Sequence, residues 1–120
     1  MHKKTICVDV DGVIADYSKG WQGSETFGEP LPGCSEVLQK LRLEGWKIII
    51  FTTRGKIDAL VRYLHKNNVP YDEINKNSDN PPDANPGKPI ADVYLDDRGI
   101  RFKGDWKEAY ELITTLEPWQ

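Results

Sequence analysis

The sequence predicts an α/β fold: a parallel sheet of about five strands, covered by helices on both faces in three layers. Three observations carry that expectation. Short apolar runs rich in β-branched residues, TICVD at 5–9, WKIIIFT at 46–52 and DVYLD at 92–96, alternate with stretches of helical period. The runs are apolar throughout, as strands buried on both faces require. The chain has 120 residues, 38% of them hydrophobic, which is enough for one core and too little for two, so residues 1–120 read as a single domain.

The first strand spans 5–9, and Gly and Pro scattered among aromatics make 12–32 an irregular excursion. A helix is expected over about 34–44, where Val37, Leu38 and Leu41 share a face and Gly45 supplies the stop. After the second strand, KIDALVRYLHKN places Ile57, Leu60, Val61 and Leu64 on one helical face. YDEIN at 71–75 is a weaker strand, and 76–89 is a loop with three Pro before Pro89. DVYLD is the fourth strand, and IRF at 100–102 offers an edge strand. A last helix begins at Asp105, with Glu108 three residues on as in a capping box, and carries Trp106, Ala109, Tyr110 and Ile113 as its apolar stripe.

Composition narrows the function classes. A net charge of −3 argues against broad nonspecific nucleic-acid binding but leaves room for a local contact. Cys7 and Cys34 lack partners at metal-ligand spacing and suggest no disulfide framework, so a reducing, cytoplasmic setting is expected. The opening residues lack a signal-peptide pattern, and no run approaches the roughly 20 apolar residues of a membrane span. His2, near the terminus, and His65, on a helix, read as inert.

In a parallel sheet, ligands bind beyond the carboxyl ends of the strands, near the point where strand order reverses. At those ends lie Asp9 and Asp11, then Thr52, Thr53 and Arg54, then Asp96, Asp97 and Arg98, with Lys88 closing the loop before the fourth strand. Each has a plain structural reading. An Asp-x-Asp-Gly can cap a turn, Thr suits strands and caps, and a Lys in GKP is ordinarily solvated. Together the four acids, Asp9, Asp11, Asp96 and Asp97, would repel one another unless protonated or bridged by a divalent cation. An all-oxygen donor set favours Mg²⁺ over zinc. Thr52, at a strand end preceding a helix, could bind a phosphate oxygen, and Arg54 could fork onto a phosphate or onto Asp97.

DVDGV, then an apolar strand ending in Thr52, then Lys88, then an apolar strand ending in Asp96-Asp97, resembles the four-motif order of the haloacid dehalogenase-like (HAD) hydrolases over about residues 5–98. That resemblance implies a Rossmann-like fold and a Mg²⁺-dependent phosphomonoester hydrolase, a phosphatase working through an aspartyl phosphate. Asp9 matches the family's nucleophile and Asp11 its general acid and base. Mg²⁺ would be held by Asp9, the backbone carbonyl of Asp11, and Asp97. Asp96 matches a supporting acid acting through water or Lys88. Thr52 and Lys88 match the phosphate-binding and charge-balancing positions, with Thr53 and Arg54 beside them. Asp11 argues for phosphorus rather than carbon chemistry, because the dehalogenases of the family lack that second acid.

The chain departs from the family in size. The segments where a cap is usually inserted, about 13–32 and 76–87, are too short to fold as one, so no cap domain is expected. A capless site suits a macromolecular phosphate, or a small one closed off by a neighbouring subunit in an oligomer. Tyr17, Trp21 and Phe27 could stack on a base or sugar, or pack the loop onto the body. TTR with DDR resembles phosphatases of nucleic-acid ends, so nucleotides and strand ends stand among the candidate substrates. Two other readings remain open: a receiver-like phosphorylation switch, and a noncatalytic metal- or partner-binding module.

Overall fold

The computed structural model describes residues 4–117, so His2 lies outside the described residues. Strand β1 is Thr5–Val8, β2 Lys47–Ile50, β3 Glu73–Ile74 and β4 Val93–Leu95. They form one sheet in the order β3-β2-β1-β4, and every pairing is parallel. The two central strands are buried along their whole length, as the apolar runs predict.

Helices α1 (Cys34–Leu43) and α2 (Ile57–Lys66) pack on one sheet face. There Leu38, Leu60 and Leu64 join alternate strand residues, Ile6, Val8, Ile48 and Ile50, in the core. Both connections step the chain in the same direction across the sheet, and right-handed crossovers then place both helices on the same side.

On the opposite face, Lys47, on β2, reaches into the 76–91 loop, where its ammonium bonds Asn77 Oδ1 (2.7 Å) and Asp79 Oδ2 (3.0 Å) and pairs with Glu73 Oε2 (2.7 Å). Asn77 and Asn80 fasten that loop through Ile90 O and Ile90 N, which delivers buried Pro89 and exposed Lys88 to the sheet edge.

The last helix, α3 (Trp106–Thr115), forms where expected, with Asp105 Oδ1 accepting from Lys107 N and Glu108 N. Of its expected apolar stripe, Ala109 is buried, whereas Trp106, Tyr110 and Ile113 are 76%, 68% and 58% exposed. Among the described residues the sheet has four strands rather than about five, and residues 100–102 are not in a strand. After β4 the chain turns on Asp96, Phe102 packs on Trp106 (5.2 Å between ring centroids), and Gly104 at φ 93° redirects the backbone. No helix among the described residues is long and apolar enough to cross a membrane.

The Lys47–Glu73 pair makes stability pH-dependent. Burial works against ionised Glu73, but the Lys47 ammonium and the Ser78 N–H and hydroxyl outweigh it and hold the carboxyl at about 2, below its ordinary 4.5. The contribution is therefore complete above 4.5 and drains away as pH falls toward 2. Glu73→Gln is expected to lower unfolding stability at pH 7 by on the order of 1–2 kcal/mol. Urea melts should show that difference shrinking between pH 5 and pH 2. An equal difference at both ends would contradict the assignment.

Candidate active site

The carboxyl ends of β1, β2 and β4 converge on a cavity of about 860 Å³. Asp9, Asp11, Thr52, Thr53, Lys88, Asp96 and Asp97 all line it, so the fold brings together the residues that lay scattered over 88 positions of sequence.

Asp9 continues the β1 ladder by one residue, donating its N–H to Leu95 O (3.0 Å), while its Oδ1 accepts from Val10 N (2.8 Å). The chain then leaves the strand. Val10 is fully buried, its carbonyl accepts from Ile14 N and Ala15 N (2.9 Å each), and Gly12 takes φ 88°, a left-handed conformation that a side chain would strain. This turn moves Asp11 off the strand axis.

Asp11 is gripped by Arg54. Nε donates to Oδ2 and Nη2 to Oδ1, both at 2.9 Å, a parallel fork on a carboxylate. The guanidinium is 5% exposed and also donates to Ser24 O (3.2 Å) and Thr26 O (2.9 Å), which ties the loop after β1 to the end of β2. Its Cζ lies 3.9 Å from the Phe27 ring centroid and 4.9 Å from that of Trp21. Phe27 stacks on Tyr63 at 4.4 Å, and Tyr63 OH donates to Gly28 O (2.8 Å). Phe27 thus packs the loop onto the body, the plainer of its two expected roles.

The expected fork of Arg54 onto Asp97 is corrected by strand order. β2 lies directly beside β1, whereas β4, which leads to Asp97, is on the far side of β1. Arg54 therefore meets Asp11 first, and its fork is occupied there rather than standing open to a phosphate.

The hydroxyl of Thr52 accepts from Arg54 N (3.2 Å), and its N–H donates to Asn75 Oδ1 (2.8 Å). Thr53 is exposed beside it. Asp96 Oδ1 accepts from the backbone N–H groups of Arg98 and Gly99 and so shapes its own turn. Lys88 sets its ammonium 5.2 Å over the Tyr94 ring. Asp97 Oδ2 is buried without a hydrogen-bond partner.

The electrostatics are those of crowded acids. Burial chiefly pushes the Asp9 carboxyl up to about 6; the Val10 N–H draws it down, and the charges of Asp97, Asp11 and Asp96 add to the rise. A divalent cation fits this arrangement by chemistry, since an orphaned buried oxygen of Asp97 faces the same cavity as a destabilised Asp9 charge. Among the described residues no three acidic, His or Cys side chains form a ready cage. Mg²⁺ does not demand one, because it ordinarily takes one or two carboxylates and completes its shell with water and substrate phosphate.

Sequence reasoning missed Asn75, whose positive φ of 59° aims its side chain at Thr52. An Asn closing YDEIN, at a position where left-handed backbone is tolerated, was the available signal. It also missed the column Trp21, Arg54, Phe27, Tyr63, which joins three separate segments and has no spacing signature.

No family model matches the chain, and no curated protein matches it by sequence. Solved structures do resemble it. A conserved protein from Bacteroides thetaiotaomicron is 27% identical with a TM-score of 0.68, covering 94% of this chain and 91% of that one. A structural-genomics target from Vibrio cholerae is 23% identical with a TM-score of 0.52, covering 92% and 97%. A chain of the Pnkp1/Rnl/Hen1 RNA repair complex is 20% identical with a TM-score of 0.59, covering 80% of this chain and 36% of that one. The last two likenesses are of fold.

Proposed function

We propose that the protein is a Mg²⁺-dependent phosphomonoester hydrolase of the haloacid dehalogenase type. The observation that carries this reading is the meeting of Asp9, the unpartnered Asp97 oxygen and the Arg54-held Asp11 in one cavity at the carboxyl edge of a parallel sheet.

Asp9 and Asp97 would hold the cation, with the backbone carbonyl of Asp11. When bound, it would neutralise the negative charge that otherwise sets carboxylate and phosphate apart. Asp9 Oδ1 is engaged by Val10 N–H, so Oδ2 is the oxygen available to attack phosphorus. The P–O bond to the leaving alcohol breaks as the Asp9–phosphorus bond forms. Asp11 protonates the departing oxygen, then takes a proton from the water that cleaves the aspartyl phosphate. Arg54 occupies one lone-pair direction on each Asp11 oxygen and leaves the other for that proton. Lys88 adds a cation to the cavity, and Thr52, anchored by Asn75, frames the phosphate position.

The test is a phosphate-release screen over sugar phosphates, nucleotides, phosphopeptides and end-phosphorylated oligonucleotides. Release is expected from at least one class, falling to background with chelator and returning with Mg²⁺. Asp11→Asn should slow the preferred substrate by on the order of 10²–10⁴. A screen without Mg²⁺-stimulated release from any ester would sink the reading.

A further inference from the structure

We propose that the Trp21 indole is a stacking platform for the base of a nucleoside monophosphate unit whose phosphate enters at Asp9. This inference rests on the hydrolase reading and names its substrate class. Trp21 is 55% exposed, yet it lines the same cavity as Asp9 and Asp11. A core position would not hold a large aromatic ring so open.

The indole is nonetheless fixed from behind. The Arg54 guanidinium fills one side of it at 4.9 Å and is itself backed by Phe27 at 3.9 Å, which rests on Tyr63 at 4.4 Å. Cation–π contact of this kind sets the orientation of the ring before any ligand arrives, so that stacking needs little further ordering. The side of Trp21 away from Arg54 remains for a planar group.

Position selects the kind of planar group. The same guanidinium grips Asp11 at its edge by both oxygens at 2.9 Å and carries the indole over its face, so the indole is set to one side of the acid assigned to the leaving group, with the guanidinium between them. A ring bonded directly to the phosphate oxygen, as in an aryl phosphate, would lie beside Asp11 itself. A ring set one sugar further out reaches Trp21. The cavity, about 860 Å³, has room for a nucleotide. Lys88 and Arg98 line it as cations, and Lys88 is held over Tyr94 at 5.2 Å. A free nucleotide and the terminal nucleotide of a strand share this chemistry.

The experiment compares kcat/KM for nucleoside 5′-monophosphates, nucleoside 3′-monophosphates and end-phosphorylated dinucleotides with that for glycerol phosphate, which carries no ring, in the wild type, Trp21→Ala and Trp21→Phe. In Trp21→Ala the ratio of nucleotide to glycerol phosphate is expected to fall roughly 10- to 100-fold, mainly through KM, and Trp21→Phe should restore most of it. Preference for the free or the strand-end form assigns the source, and either supports the platform. A ratio unchanged by Trp21→Ala overturns it, because Trp21 then only supports Arg54. Calorimetry on the Asp9→Asn background reads binding without turnover. Nucleotide affinity that weakens with Trp21→Ala supports the platform even if no ester is hydrolysed. Absence of nucleotide binding there overturns it, while wild-type release of phosphate from glycerol phosphate would leave the hydrolase reading standing.

Discussion

Asp9→Asn is expected to abolish Mg²⁺-stimulated phosphate release, by on the order of 10⁴-fold or more, in a protein that remains folded. The substitution keeps the shape of the side chain and the oxygen that accepts from Val10 N–H, but removes the negative charge that attacks phosphorus. Stability should rise slightly rather than fall. The Asp9 carboxyl is pushed up to about 6 mainly by burial, with the Asp97, Asp11 and Asp96 charges adding to the push, so the native fold bears a cost for ionising it that the amide does not carry. The group's folded value lies above its ordinary one, so this cost is full above about 6 and drains away as pH falls from there toward the ordinary 3.8. Thermal melts of both proteins at pH 7.5 and pH 5, beside a phosphate-release assay, check both halves. Turnover undiminished in Asp9→Asn would remove Asp9 from the chemistry.

Arg54→Ala is expected to cost on the order of 3 kcal/mol of stability as well as activity. The guanidinium is 5% exposed and joins Asp11, two loop carbonyls and two aromatic rings, so its loss strands a carboxylate and unties the segment after β1. Arg54→Lys separates the two effects. A lysine keeps the charge but has no planar fork, so it should restore part of the stability while leaving Asp11 poorly aimed. The expected signature is a denaturation midpoint between those of Arg54→Ala and the wild type, with kcat still at least about tenfold low. Equal activity in Arg54→Lys and the wild type would show that Asp11 needs no fork to be positioned.

Arg54 also marks where sequence reading stops. TTR at the end of an apolar strand shows a cation near the carboxyl edge, but whether it meets Asp11, Asp97 or a phosphate depends on which strands are neighbours. In the order β3-β2-β1-β4, the end of β2 faces the end of β1. Lys88 follows the same logic. Its motif position places it in the cavity, while the Tyr94 ring beneath its ammonium comes from a strand five residues on whose edge position no local pattern reveals. The apolar stripe of α3 was legible as a helix with its Asp105 cap, yet the exposure of Trp106, Tyr110 and Ile113 was not. Periodicity states that a face is apolar and says nothing about what lies against it.

Local chemistry was enough to determine the parallel α/β class, the burial of β1, the turn at the Asp-x-Asp-Gly and the gathering of acids at strand ends. Those features follow from residue type and spacing within a few positions, where backbone preference and burial act directly. Tertiary structure alone decided the four strands seen among the described residues, the anchoring of Lys47 in the 76–91 loop, the Arg54–Asp11 fork and the exposed Trp21 at the head of its aromatic column. Each of these depends on contacts between segments far apart in the chain, and such contacts are fixed only when strand order and packing are.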